Sequence, residues 1–162
     1  MKTIISIALT FGFLSGVANA QSCSNTIDKS TPDMRFVISG DEVKDLVTNL
    51  TWKRCAQGQT WNSDAASCTG ASSTFTWSQA LSEANSGWRL PNVKELLSLV
   101  EVSCHSPAIN ETIFPDSDSE YFWTASPYVN NAQTWSVSFL DGNDQGFGKS
   151  EGLFVRLVKD AN

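Results

Sequence analysis

Trp88-Arg89-Leu90-Pro91-Asn92-Val93-Lys94-Glu95-Leu96 places a complete helix-start signal behind an indole and a guanidinium. Pro91 keeps Leu90 out of the helical region. Asn92 is a cap that accepts from the first free amides, and Glu95, three residues on, reaches back to the cap. A helix therefore begins at about Val93. Val93, Leu96, Leu97, Leu99 and Val100 follow at helical spacing, so one wide face turns inward while Lys94, Ser98 and Glu101 turn to solvent. Trp88 and Arg89 are held in the turn ahead, where the indole can be buried. The Arg89 fork there seeks a carboxylate, with Glu95 a candidate, or several carbonyls.

Upstream, Thr76 and Gln79 make a second capping box ahead of Ala80, Leu81 and Ala84, for a helix of about ten residues that ends near Ser86-Gly87. Arg35–Ile38 and Val43–Leu46 flank the turn residues Ser39-Gly40-Asp41-Glu42 as a hairpin, and Leu50-Thr51-Trp52 reads as a third strand. Downstream, Tyr121–Thr124 reads as a buried strand. Thr134–Leu140 alternates Trp135, Val137 and Phe139 with Ser136 and Ser138, the pattern of a half-buried strand. Asp141-Gly142-Asn143-Asp144-Gln145-Gly146 is the strongest turn signal in the chain. Leu153–Val158 closes the sheet with Arg156 as its one charge. Trp52, Trp77, Trp88 and Trp123 fall in or beside these elements and read as packing residues. No repeat or internal linker interrupts the pattern, so one α+β domain is expected.

Met1-Lys2, the apolar run Ile4–Val17 and Ala18-Asn19-Ala20 have the layout of a secretory signal peptide cleaved after Ala20, which implies a secreted or periplasmic protein. The run is too short, and too broken by Thr10, Gly12, Ser15 and Gly16, for a good membrane span. Ala20-Gln21-Ser22 ahead of Cys23 lacks the leucine of a lipid-attachment motif. Cleavage leaves 142 of the 162 residues, enough for one core. Residues 21–34 form a polar lead ordered chiefly through Cys23. The formal net charge is −6, or −7 once Lys2 leaves with the leader. Lys53-Arg54 is the one adjacent basic pair. A polyanionic partner, nucleic acid above all, is disfavoured.

The opening segment resembles the signature of the bacterial Lcl C-terminal domain, a domain of unknown function. Leu50-Thr51-Trp52-Lys53-Arg54-Cys55, Gly58-Gln59-Thr60-Trp61, Cys68-Thr69-Gly70, Thr76-Trp77-Ser78-Gln79-Ala80-Leu81, Pro107-Ala108-Ile109-Asn110 and Val155-Arg156-Leu157-Val158 match it too, in the family's order from Arg35 to Lys159. The resemblance implies a C-type-lectin-like α+β fold, with two helices packed on small antiparallel sheets. It also implies kinship in fold with formylglycine-generating enzymes, and adhesion or glycosaminoglycan binding as proposed for some members, the latter at odds with the net negative charge. The enzymes' chemistry depends on paired C-terminal cysteines that bind copper. No cysteine follows Cys104, so the kinship implies fold without activity.

Four cysteines in an exported chain read as two disulfides, for which three pairings exist. Cys55 and Cys68 bracket a short polar loop and both lie in family segments, so they are paired, which leaves Cys23 with Cys104. A loop of about 13 residues is worth roughly 3 kcal/mol on the chain-entropy model and one of about 80 roughly 4.5. A zinc site is the alternative, but no C-x-x-C pair occurs and His105 is the sole histidine. Asn49-Leu50-Thr51 and Asn110-Glu111-Thr112 match the glycosylation pattern, which a bacterial chain leaves unused.

Nucleophilic catalysis needs a nucleophile with a base. The chain offers only His105 beside a cysteine expected to be oxidised, so no catalytic residue is assigned. Two oxygen-rich groups suit calcium, a hard cation. Asp116, Asp118 and Glu120 read otherwise as a solvated acidic loop, and Asp141, Asn143 and Asp144 as a strand-connecting turn. The second is the stronger candidate for calcium. Lectin-like folds carry calcium and sugar sites in such loops, and Trp61, Tyr128, Trp135 and Phe147 are the aromatics whose settings suit a sugar platform. Each alone is more often core than a ligand platform. The expectation is a non-catalytic module that recognises a glycan or a protein on a cell surface; the alternative is a structural subunit of a pilus or envelope assembly. If the turn binds calcium, added calcium raises the melting temperature and Asp141→Ala with Asp144→Ala abolishes that rise; a rise that persists in the double variant places the ion elsewhere.

Overall fold

The computed structural model describes residues 20–161, so the signal peptide read at residues 1–20 lies, Ala20 apart, outside the described residues. β1 (Ser22–Cys23) and a 3-10 turn at Asp33–Arg35 lead into a meander of β2 (Phe36–Ser39), β3 (Glu42–Asp45) and β4 (Leu50–Lys53). The hairpin β5 (Thr60–Asn62) and β6 (Ser67–Thr69) follows, then α1 (Trp77–Ser82), α2 (Val93–Leu97) and β7 (Cys104–His105). A second meander of β8 (Tyr121–Pro127), β9 (Gln133–Ser138) and β10 (Asp144–Gly148) precedes β11 (Val158–Asp160). The sheets are antiparallel, with orders β11-β4-β3-β2 and β10-β9-β8 and the two-stranded pairs β1-β7 and β5-β6. The fold is α+β, with two helices on small sheets and disulfides Cys23–Cys104 and Cys55–Cys68.

Both expected helices start on their caps: Thr76 with Gln79, and Asn92 with Glu95, form reciprocal capping boxes. Both are shorter than the periodicity implies. α1 ends after six residues, and the chain then passes through Ser86 at φ 50° and Gly87 at φ 87°. α2 ends after five because Leu99 and Val100 bond three residues back, to Leu96 and Leu97, while the Ser98 hydroxyl donates to the Glu95 carbonyl. Leu99 stays in the core, but Val100 bridges Ile109 and the helical phase is lost. Glu101 therefore does not face solvent: it is 1% exposed.

The Glu101 carboxylate accepts from the Thr31 N–H and hydroxyl, both at 2.8 Å, the Ser30 N–H at 3.1 Å, and the Ser103 hydroxyl at 2.7 Å and N–H at 3.0 Å. The lead over residues 21–34 is thus docked by more than Cys23. Gln21 Nε2 donates to the carbonyls of Pro107 and Ile109, and buried Asn110 donates to Thr31 O and Asp33.

Successive residues of a strand point to opposite faces, and here both faces of the β8-β9-β10 sheet are covered. Phe122 and Val137, cross-strand neighbours, enter one core with Trp52, Leu96, Leu99, Phe114 and Phe139. Trp123 enters a second core with Ala80, Leu90, Leu153, Val155 and Leu157. β9 is consequently not half-buried: Ser136 and Ser138 are as buried as Val137, and Ser136 Oγ donates to the Gln145 carbonyl. Nor does Leu153–Val158 form one closing strand. Leu153 bridges Phe75, Phe154 runs parallel to Phe122, and only Val158 enters β11. Between them, Arg156 is wholly buried on the rings of Phe114 and Phe122, and its guanidinium donates to Lys53 O, Arg54 O and Ser117 Oγ. Burial lowers its pKa to about 9, so it stays charged at neutral pH.

Burial by itself raises the Glu101 pKa, but the bonds from Ser103 and Thr31 outweigh it and bring the group from an ordinary 4.5 to about 2. A carboxylate lowered in the folded state adds stability that is complete above its unfolded pKa and is lost as pH falls through the folded one. Stability is therefore expected to fall from about pH 4.5 towards pH 2. Glu101→Gln should cost roughly 1.5–3 kcal/mol at neutral pH, the range for hydrogen bonds to a charged group, and flatten that acid limb. Urea melts across this pH range check both; an unchanged limb in the variant assigns the acid sensitivity to another group.

Candidate functional site

Among the described residues, one concave polar site is assembled where the β2-β3 turn meets the disulfide-clipped loop after β4. Gly40, at φ 61°, lets the chain reverse in two residues and sets Asp41 at the tip. The turn is fixed from below, since the Arg54 N–H donates to Asp41 O at 2.9 Å and Arg54 Nη1 to Gly40 O at 3.2 Å. Arg54 also donates through Nε to Ile113 O and through Nη2 to Thr112 O, and its guanidinium lies 4.1 Å from the centre of the Trp61 ring. One face of Trp61 is thereby occupied.

Trp61 stands opposite Cys68 in the β5-β6 hairpin, and the Cys55–Cys68 bond joins that hairpin to the end of β4. Gln57 and Gln59 follow Cys55 in a loop closed by Ala56: its N–H donates to Gln59 Oε1 and its carbonyl accepts from Gln59 N. Gly58 sits between them at φ 96°, where an added Cβ would stand 2.6 Å from the Ser73 N, so glycine is required. The result is a cavity of about 160 Å³ lined by Asp41, Lys53, Cys55, Ala56, Gln57, Gln59 and Trp61.

Its charges are paired. Lys53 Nζ meets Asp41 Oδ2 at 2.7 Å and Glu42 Oε1 at 3.3 Å, and lies 4.5 Å from the Trp88 ring centre, with Lys159 at 4.4 Å. Burial lowers the Lys53 pKa, and Asp41 with Glu42 more than restores it, so the ammonium is held charged. Gln57 Nε2 donates to Glu83 Oε2 at 2.6 Å, and Gln59 Nε2 to Asp116 O at 3.1 Å.

Of the residues proposed from sequence, only Trp61 lies here, and the others are scattered over the β8-β10 sheet and its loops. Tyr128 packs edge-on against Trp135 with ring centres 4.5 Å apart, lying over Gly146. Phe147 packs instead on Tyr121 in the second core. The turn after β9 satisfies itself, since Asp141 Oδ1 and Oδ2 accept from the Asn143 N–H and side-chain amide. Burial raises the Asp141 pKa, but hydrogen bonds with the Ser138 side chain and then with Asn143 outweigh it, and the group ends below its ordinary value. Asp144 lies in β10 opposite Val137. In the other acidic group, Asp116 caps the Cys68 N–H and Asp118 accepts from the Ser72 hydroxyl, so both hold the hairpin loop. Among the described residues, no three or more His, Cys, Asp or Glu gather closely enough to hold a metal ion.

Asp41, Gln57 and Gln59 escaped the sequence reading. Gly40-Asp41 was legible as a turn and Cys55–Cys68 as a short polar loop, but nothing local said that the two segments meet. The expected Arg89 partner is present, because Arg89 binds both oxygens of Glu95, at 2.8 and 3.0 Å, and also Asp160.

No curated protein and no solved structure matches the chain. A family model does, over residues 41–159, from the turn that carries Asp41 to the second residue of β11. On that match, which takes in the pocket and every residue of the two cores but Phe36, the chain belongs to the Lcl C-terminal domain family.

Proposed function

We propose that this protein is an exported, non-catalytic binding module that recognises a glycan or a surface protein through the Trp61 pocket. The observation that carries the reading is the meeting of an indole, a carboxylate and two side-chain amides around one cavity, on loops fixed by a disulfide and a buried arginine. Binding sites combine apolar walls with a few placed polar groups in this way. All four cysteines are joined in disulfides, and His105 stands exposed on β7 beside Ser106. That environment supports binding over nucleophilic chemistry.

The assembly-subunit alternative draws on a different surface. β2 is the edge of its sheet, and Val37, Ile38, Leu46, Met34 and Val47 are exposed around it, the last two at 84% and 74%. Such a cluster suits a protein contact.

A glycan array probed with the mature protein and with Trp61→Ala separates the two. Binding that falls at least about tenfold in the variant, the equivalent of roughly 1.4 kcal/mol, with an unchanged circular-dichroism spectrum, is the expected result. A blank array for the wild type removes the glycan reading and directs attention to the β2 edge.

A further inference from the structure

We infer that the Trp61 pocket takes an uncharged, hydroxyl-rich ring, a neutral hexopyranose, and discriminates against carboxylated and sulfated sugars. This rests on the binding reading above and follows from which polar atoms of the pocket remain free. Asp41 Oδ2 is held by Lys53, while among the described residues Oδ1 has no partner. Gln57 gives its amide hydrogen to Glu83, and Oε1 remains an open acceptor. Gln59 has both ends of its amide engaged, with Ala56 and Asp116. The free side-chain atoms of the lining are thus weighted to acceptors, with the indole N–H of Trp61 as a donor.

The two cations offer little to an anion. Lys53 is shared among Asp41, Glu42 and the Trp88 ring. Arg54 is buried, gives one hydrogen from each of its three nitrogens to the carbonyls of Ile113, Gly40 and Thr112, and lays its face on Trp61. A carboxylate or sulfate entering the cavity meets Asp41 with Glu42 and Glu83 close behind it, and no uncommitted positive group. A sugar hydroxyl, in contrast, donates to Asp41 Oδ1 in a charge-assisted bond, the stronger kind, and a second donates to Gln57 Oε1. The C–H face of the ring packs on the indole side that Arg54 leaves open. The cavity, about 160 Å³ and open to solvent, takes one face and edge of a ring and leaves the rest of the ring and its neighbours in solvent.

The test follows the Trp61 indole N–H by heteronuclear NMR in the folded mature protein. The probes are methyl α-mannopyranoside, methyl β-glucopyranoside and methyl β-galactopyranoside, set against methyl β-glucuronide and a sulfated galactoside. The expected result is a saturable shift with a neutral glycoside that is insensitive to added salt, together with a loss of about tenfold or more in affinity in Asp41→Asn and in Gln57→Ala. The Gln57 variant leaves the Asp41–Lys53 pair intact and guards against a folding defect. Tighter binding of the glucuronide or the sulfated sugar at Trp61 overturns the preference for neutral rings and leaves the pocket as a binding site. Neutral binding unchanged in both variants overturns the assignment of the acceptors. No response at Trp61 to any of the probes overturns the inference and the pocket reading together.

Discussion

Two buried guanidinium groups hold this molecule together where regular secondary structure gives out. Among the described residues the longest strand has seven residues and the helices six and five, so much of the interior backbone has no ladder partner, and buried carbonyls without partners are costly. Arg156 takes the carbonyls of Lys53 and Arg54 at the end of β4, and Arg54 takes those of Gly40, Thr112 and Ile113. The first β-turn, the long connection before β8 and the last segment of the chain are thereby fixed to one point. Arginine suits the task because its planar fork serves several acceptors at once and keeps its charge when buried. The pocket exists because Arg54 holds the β2-β3 turn against the loop that follows β4.

Glu101 does the converse, satisfying amides and hydroxyls in place of carbonyls. Together the three side chains act as caps for irregular backbone, which explains how a fold with so little helix and strand encloses two cores. Each one's hydrogen bonds go to the backbone or to hydroxyl groups, apart from the ring contacts of the two arginines.

What could be read from the sequence was whatever depends on near neighbours. Capping boxes at Thr76 and Asn92 named both helix starts, because the cap and its partner are three residues apart. Gly40 and Asp41 named the hairpin for the same reason. The misreadings fall where distant contacts override local pattern. Periodicity turned Glu101 outward, but the bridge from Val100 to Ile109 takes the chain out of helical phase. Alternation made β9 amphipathic, yet serines fit under the second core because their hydroxyls find carbonyl or amide partners within the sheet. The pocket was invisible for the same cause: Asp41 and Gln57 are brought together by Arg54, whose neighbour Cys55 is bonded to Cys68, and only the fold says so. The resemblance named the family without naming the cavity.

The disulfides enclose most of the exposed turns. Ser63–Ala66 lies inside the Cys55–Cys68 loop, and Ala84–Gly87 inside the ring of chain closed by Cys23–Cys104. A protease cutting once at either turn separates no piece of the protein, because the two sides of the cut remain covalently joined and the buried arginine contacts lie elsewhere. Such a nicked molecule would run as two bands only after reduction, and it would keep the residues around Trp61 in one covalent body. Persistence in a protease-rich setting is thus written into where the cysteines stand relative to the turns.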